Sequence, residues 1–184
     1  MKQGNLVTYV LRLSLTLLAI TAAVALALAG IKSITADRIA AVKAEKMQKA
    51  MEQVLPGAEN LESVAFTDET GLVQTVYASK DGYVVEVRPA GFGGTITMMV
   101  GILPDGTVNG ISIVSHTETA GLGSVAGADT SAGQAFRDQF VGQNGQLAVD
   151  KDGGTIDSIT SATITSRAVT SGVNAALAAV AGLG

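Results

Sequence analysis

Residues 95–115 read TITMMVGILPDGTVNGISIVS. Pro104-Asp105-Gly106 joins a residue with preset φ, an Asx-turn former and a residue free to take positive φ, so the chain reverses there. Residues 95–103, before the turn, are apolar enough for a buried strand. Residues 108–115 return as VNGISIVS, a second strand. The same grammar occurs upstream. Residues 73–78 (VQTVYA) alternate, Lys80-Asp81-Gly82 turns, and residues 83–88 alternate again. Consecutive hairpins predict antiparallel pairing, and their apolar faces need a cover.

Helix-like segments supply that cover. In residues 36–55 (ADRIAAVKAEKMQKAMEQVL), Ile39, Val42, Met47, Met51 and Val54 recur at helical steps until Pro56-Gly57. In residues 131–141, Ala135, Phe136 and Phe140 are expected on one face, with Ser131 as a possible cap. From Ser161 onward Val169, Val173, Ala176, Leu177 and Val180 repeat every three or four residues. A short strand is expected at 147–149, and Lys151-Asp152-Gly153-Gly154 is a turn. The fold class is α+β: a mainly antiparallel sheet packed by helices, behind an N-terminal apolar helix.

That N-terminal helix is a membrane anchor by composition. Residues 13–31 (LSLTLLAITAAVALALAGI) form nineteen residues without a charge. At ~1.5 Å per residue they span roughly 28 Å, close to a bilayer's hydrocarbon thickness. Ser14, Thr16 and Thr21 can bond back to the preceding turn. A cleaved signal peptide is the rival, since Ala27-Leu28-Ala29 fits a cleavage site, but the run exceeds the ~7–15 residues of a signal core. Lys2 and Arg12 precede the run; Lys32, Arg38, Lys43, Lys46 and Lys49 follow it. That count alone places the main domain in the cytoplasm. The expected division is an anchor at 1–34, a helical stalk at 35–57 and a folded domain at 58–184.

Composition narrows the chemistry. The 184 residues hold no cysteine and one histidine, at formal charge −4. Disulfides, cysteine-held iron–sulfur clusters and thiol catalysis are excluded, and a His-rich metal site is not available. Nothing suggests nucleic-acid binding through a basic surface. What remains is a hydroxyl-rich run, Thr160-Ser161-Ala162-Thr163-Ile164-Thr165-Ser166. It stands where the last helix begins, so free backbone N–H groups and the positive end of the helix dipole gather there. It can be an N-cap, a linker, a nucleophile or a phosphate site. Asp157 just upstream would repel a phosphate, and fits turn formation or metal-assisted attachment chemistry.

Three separated motifs resemble one family, the FMN-binding subunits of membrane redox pumps: the G subunit of the Rnf complex and, more distantly, the C subunit of the sodium-translocating NADH:quinone reductase. Asp157-Ser158-Ile159-Thr160-Ser161-Ala162-Thr163-Ile164-Thr165 looks like its flavinylation motif, an Asp ahead of a Ser/Thr-Gly-Ala-Thr core. Ser161 stands where the family usually has Gly. His116-Thr117-Glu118-Thr119-Ala120-Gly121-Leu122-Gly123 matches its His-x-Glu-Thr-Pro-Gly-Leu-Gly pattern, with Ala120 for Pro. Gly91-Phe92-Gly93-Gly94 before a strand containing Val100-Gly101-Ile102 is the third match.

The resemblance implies an electron-relay subunit carrying FMN covalently, through a phosphoester to Thr163, with Thr160 and Thr165 as second choices. Asp157, Thr160, Ser161, Ala162, Ile164 and Thr165 would surround the attachment. His116, Glu118, Thr119, Gly121 and Leu122 would lie near the ring, between this loop and Gly91-Phe92-Gly93-Gly94. A separate flavin transferase would make the link from FAD. Partners would be membrane lipid and the membrane and iron–sulfur subunits of a complex coupling ferredoxin:NAD electron flow to Na⁺ or H⁺ movement. NAD would bind elsewhere, because no GxGxxG fingerprint occurs here. The family places this domain on the outer face of the cytoplasmic membrane, against the charge count. A membrane-anchored binding module and a flavin reductase with loosely held FMN are the rival readings.

Overall fold

The computed structural model describes residues 3–183, with side chains from residue 7 onward; Lys2 lies outside the described residues. Residues 1–45 and 46–184 are two separate compact units. One helix, α1, runs Gln3–Val54. In the first unit its large apolar side chains are exposed, and an 18-residue window has mean hydropathy 2.2 with none of it buried. By length and composition α1 can cross a membrane. The Thr16 hydroxyl donates to the Arg12 carbonyl at 2.7 Å and Thr21 to that of Leu17 at 2.9 Å, so these polar groups are satisfied within the helix.

The second unit is built on five antiparallel strands in the order of the chain: β1 Glu62–Val64, β2 Val73–Ser79, β3 Gly82–Val87, β4 Thr97–Ile102 and β5 Val108–Ser115. Both expected hairpins form, with Ser79 opposite Gly82 and Ile102 opposite Val108 at their turns. Every residue of β4 is buried, because both faces of the sheet are covered. Val85, Val87, Met98 and Val100 point to one face and pack with Phe140, Val169 and Val173. Val84 and Met99 point to the other and pack with Ala50, Val54 and Leu55 from the end of α1.

α1 can sit this close because Gly101 and Gly110, cross-strand partners, leave a flat seat. A Cβ on Gly101 would run into the Val54 carbonyl, whereas one on Gly110 would stand 3.5 Å from Val54 Cα. Asn109 Nδ2 donates to that carbonyl at 2.8 Å, which satisfies an acceptor the helix end leaves open.

After β5 come a 3₁₀ turn at Gly123–Gly127, helix α2 at Ser131–Asp138, a second 3₁₀ turn at Asp150–Asp152, and α3 at Thr163–Ala181. Three expectations need correcting. Thr130, not Ser131, caps α2, its hydroxyl accepting from Gly133 N at 3.2 Å. Ala135 is exposed, while Phe136 and Phe140 meet edge to face at 5.5 Å. Residues 147–149 make no strand; Val149 forms one parallel bridge with Ile156, since Asp150 turns the chain at once. β1 was not expected: three residues leave no periodicity to read.

Candidate functional site

The hydroxyl-rich run opens α3. Ala162 is the N-cap residue and offers no side-chain cap. Among the described residues, the amides of Thr163, Ile164 and Thr165 have no acceptor; the first inward bond is Ser166 N to the Ala162 carbonyl at 3.0 Å. The expected hydroxyl cap is therefore not made, and the helix start presents bare N–H groups. Ser161, just before it, has φ 61°. This left-handed backbone costs a side-chain-bearing residue ~1–2 kcal/mol and suits glycine, which accounts for glycine at this point of the family pattern.

The hydroxyls divide by partner. Thr165 is buried and donates to Glu118 Oε2. Ser166 is buried; its Oγ donates to the Ala162 carbonyl and accepts from Ile159 N, both at 3.0 Å. Thr160 is exposed. Thr163 is half-buried and its hydroxyl has no hydrogen-bond partner among the described residues. It is the first residue of α3 and lines a slot of about 360 Å³ with Phe92, Glu118, Thr119, Leu122 and Ile164. Gly123, Ser161, Ala162 and Thr165 complete the lining. Phe92 is 68% exposed, Leu122 40% and Ile164 50%. Three of the four exposed large apolar side chains described in the second unit thus ring this one slot, which makes it the candidate site.

Glu118 ties the slot's walls together. Its carboxylate accepts from Gly93 N at 2.8 Å, from Phe92 N at 3.3 Å and from the Thr165 hydroxyl. It therefore bolts the β3–β4 tip to α3. The tip is itself closed by an Ala90–Thr95 bridge and by Gly91 N donating to the Gly94 carbonyl at 2.8 Å. Glycine is required at 93, where a Cβ would strike the Thr117 carbonyl; at Gly91 a Cβ would meet the side-chain ends of Glu118 and Ile96. Burial opposes ionisation of Glu118, but the Thr165 hydroxyl, the Gly93 and Phe92 amides and nearby His116 outweigh it and hold its carboxyl below the ordinary value of 4.5.

Other expected residues lie outside the slot lining. His116 accepts from Glu118 N at 3.3 Å through Nδ1, and it lines a separate groove beside β5. Gly121 takes φ 75° and donates to Ser124 Oγ at 2.9 Å, shaping the loop. Asp157 is exposed and held by its backbone, its N–H donating to Gln139 Oε1 at 2.7 Å. The turn before it is pinned by ion pairs. Arg167 of α3 holds Asp152 through two bonds of 2.7 and 2.6 Å. Hydrogen bonds from Ser158 and then Lys151 keep Asp150 well below the usual carboxylate range.

Residues 91–178, which contain the slot, match the FMN-binding domain family. The chain is 35% identical to the G subunit of the Na(+)-translocating ferredoxin:NAD(+) oxidoreductase complex of Acetobacterium woodii, covering 90% of this chain and 88% of that one. The G subunit of the corresponding proton-translocating complex of Clostridium ljungdahlii is 44% identical over 55% of this chain and 57% of its own. The G subunit of the ion-translocating oxidoreductase complex of Methanosarcina acetivorans is 33% identical over 88% and 89%. Similarity of this extent, with the motifs folded around one slot, shows that the chain belongs to the family of G subunits of ion-translocating oxidoreductase (Rnf) complexes.

Proposed function

We propose that this chain is the FMN-carrying electron-relay subunit of a ferredoxin:NAD oxidoreductase complex that moves Na⁺ or H⁺, and that it carries FMN as a phosphoester of Thr163. The observation that carries this reading is an unpartnered Thr163 hydroxyl at an uncapped helix start, in a slot walled by apolar side chains. The amides of Thr163, Ile164 and Thr165 and the α3 dipole suit a phosphate. Phe92, Leu122 and Ile164 suit a flat aromatic ring. Bound FMN supplies the electron chemistry; the chain supplies position and electrostatics. The Thr163 hydroxyl loses its proton and becomes the ester oxygen, with AMP leaving when FAD is the donor. A separate flavin transferase carries out that step. Thr165 is a poor rival acceptor, since its hydroxyl is buried against Glu118, and Thr160 stands outside the slot lining.

A denaturing gel tests this. Wild-type chain from cells holding the transferase gives a band fluorescent under ultraviolet light, and Thr163→Val removes the fluorescence entirely. A wild-type band that is dark, or whose flavin washes out on denaturation, sinks the covalent link; a bright Thr163→Val band moves it elsewhere.

The same reading divides the chain into an anchor at 1–34, a connecting helix at 35–57 and the FMN domain at 58–184. The anchor sits in the lipid of the cytoplasmic membrane beside the complex's other membrane and iron–sulfur subunits, with the FMN domain on the outer face. Protease added to intact spheroplasts then digests the domain. Digestion only after lysis reverses that orientation.

A further inference from the structure

Among the described residues that line the slot, Glu118 alone is ionisable. Its carboxyl lies below the ordinary 4.5, so it carries a negative charge at neutral pH. The partners of that charge are dipoles: the Gly93 amide at 2.8 Å, the Phe92 amide at 3.3 Å and the Thr165 hydroxyl. No lysine or arginine among the described residues forms an ion pair with it. His116 turns its Nδ1 lone pair to the Glu118 N–H at 3.3 Å, so that nitrogen donates nothing to the carboxylate. The three donors fix the charge in place without cancelling it.

Glu118 is only 8% exposed, so solvent ions screen it weakly. Phe92, Leu122 and Ile164 wall the same slot, and a charge beside apolar walls acts over a longer range than one in water. The opposite sign gathers elsewhere in the slot, at the bare amides and positive dipole end of α3. A phosphate on Thr163 takes up that positive end. The carboxylate has no such counterpart among the described residues.

We infer that the Glu118 carboxylate tunes the flavin in this slot, lowering its reduction potential by opposing the negative charge that the ring gains on reduction. The inference rests on the reading that the slot holds FMN. Two electrons from the complex's electron donor and one proton from water leave the ring with one negative charge; a second proton is needed to neutralise it. A fixed like charge nearby disfavours that anion. The oxidised ring is neutral and escapes the penalty, so the carboxylate weighs on one redox state only. Charge placed near the ring is one of the protein's means of setting flavin electronics. A flavin held low in potential passes its electrons on more readily, which suits a relay.

Potentiometric titration of the full-length chain in detergent is the test, with dithionite as reductant, redox mediators, and the flavin's visible absorbance as signal. It is run on wild type, Glu118→Gln and Thr165→Val, after flavin content has been read from the absorbance of each. At the wild-type midpoint, Glu118→Gln raises the ratio of reduced to oxidised flavin at least tenfold, or ~30 mV for a two-electron couple. Thr165→Val cuts the same tie but keeps the charge, so its ratio stays level or falls. In wild type labelled with ¹³C-glutamate, the reduced-minus-oxidised infrared spectrum shows a glutamate carboxylate band that shifts, a readout that needs neither variant to take up flavin. Equal ratios in wild type and Glu118→Gln, a like rise in both variants, or a silent glutamate carboxylate region overturns the inference and leaves FMN in its slot. A wild-type chain that holds no flavin, covalent or loose, overturns the slot reading and this inference with it.

Discussion

Glu118→Ala is expected to lower stability by about 2–4 kcal/mol, since it strips the acceptor from two backbone amides and a buried hydroxyl at once. Each unsatisfied donor at a dry site costs ~1–3 kcal/mol, and water can replace the lost partner only on the exposed side, at Phe92. Glu118→Gln keeps the shape but turns an NH₂ toward a donor, so it falls between wild type and Ala. The pH dependence separates this strut from mere packing. Because the folded carboxyl titrates below its ordinary 4.5, its contribution is complete above that value. It is lost as pH falls through the depressed folded value. Thermal melts from pH 7 down to 3 then show a wild-type acid limb that is shallower in Glu118→Ala. Equal melting temperatures and parallel acid limbs would falsify the strut.

Gly101→Val is the second large effect. The new Cβ enters the Val54 carbonyl, with Val54 C at 2.7 Å and its Cβ at 3.0 Å from the same point. These are backbone and β-branched atoms, which cannot swing aside. The end of α1 has to lift, which breaks the Asn109–Val54 bond and uncovers Val84 and Met99. Overpacking costs ~1–3 kcal/mol and the hydrogen bond about 1 more, so a loss of roughly 2–4 kcal/mol and ~10 °C in Tm is expected. Gly110→Ala is the matched control, because its nearest neighbour, Val54 Cα at 3.5 Å, is at ordinary contact distance. It should change Tm by a few degrees at most. Comparable losses in the two variants would mean that the glycine seat does not decide how α1 docks.

What could be read from the sequence follows the range of the forces involved. The hairpins around Lys80-Asp81-Gly82 and Pro104-Asp105-Gly106 announce themselves through local turn chemistry and alternation. α3 shows through its three- and four-residue spacing. The slot was legible as three motifs in order, because each motif is a short backbone device. Its inner logic was not. That Glu118 reaches back twenty-five residues to Gly93 and forward forty-seven to Thr165 leaves no local trace, and the motif alone placed His116 beside Glu118 without showing that its ring lines a different groove. The cap at Thr130 instead of Ser131 is a one-residue matter that adjacent hydroxyls cannot resolve. The flat seat of α1 is a pairing of two glycines across strands, visible only once the register is known.

The tip of the β3–β4 hairpin also bears on how such a chain can drift. Position 91 is closed to larger residues by the Glu118 carboxylate and by the Ile96 side chain, whose Cδ1 stands 2.9 Å from where a Cβ would go. Both are mobile ends of side chains. Position 93 is closed by the Thr117 carbonyl, which no substitution removes. A lineage that shortens residues 118 and 96 therefore opens 91 but never 93. Once a side chain has grown at 91 it occupies the carboxylate's place, and glutamate at 118 cannot simply return. The strut works as a ratchet: the order in which substitutions arrive decides which later ones the fold will accept.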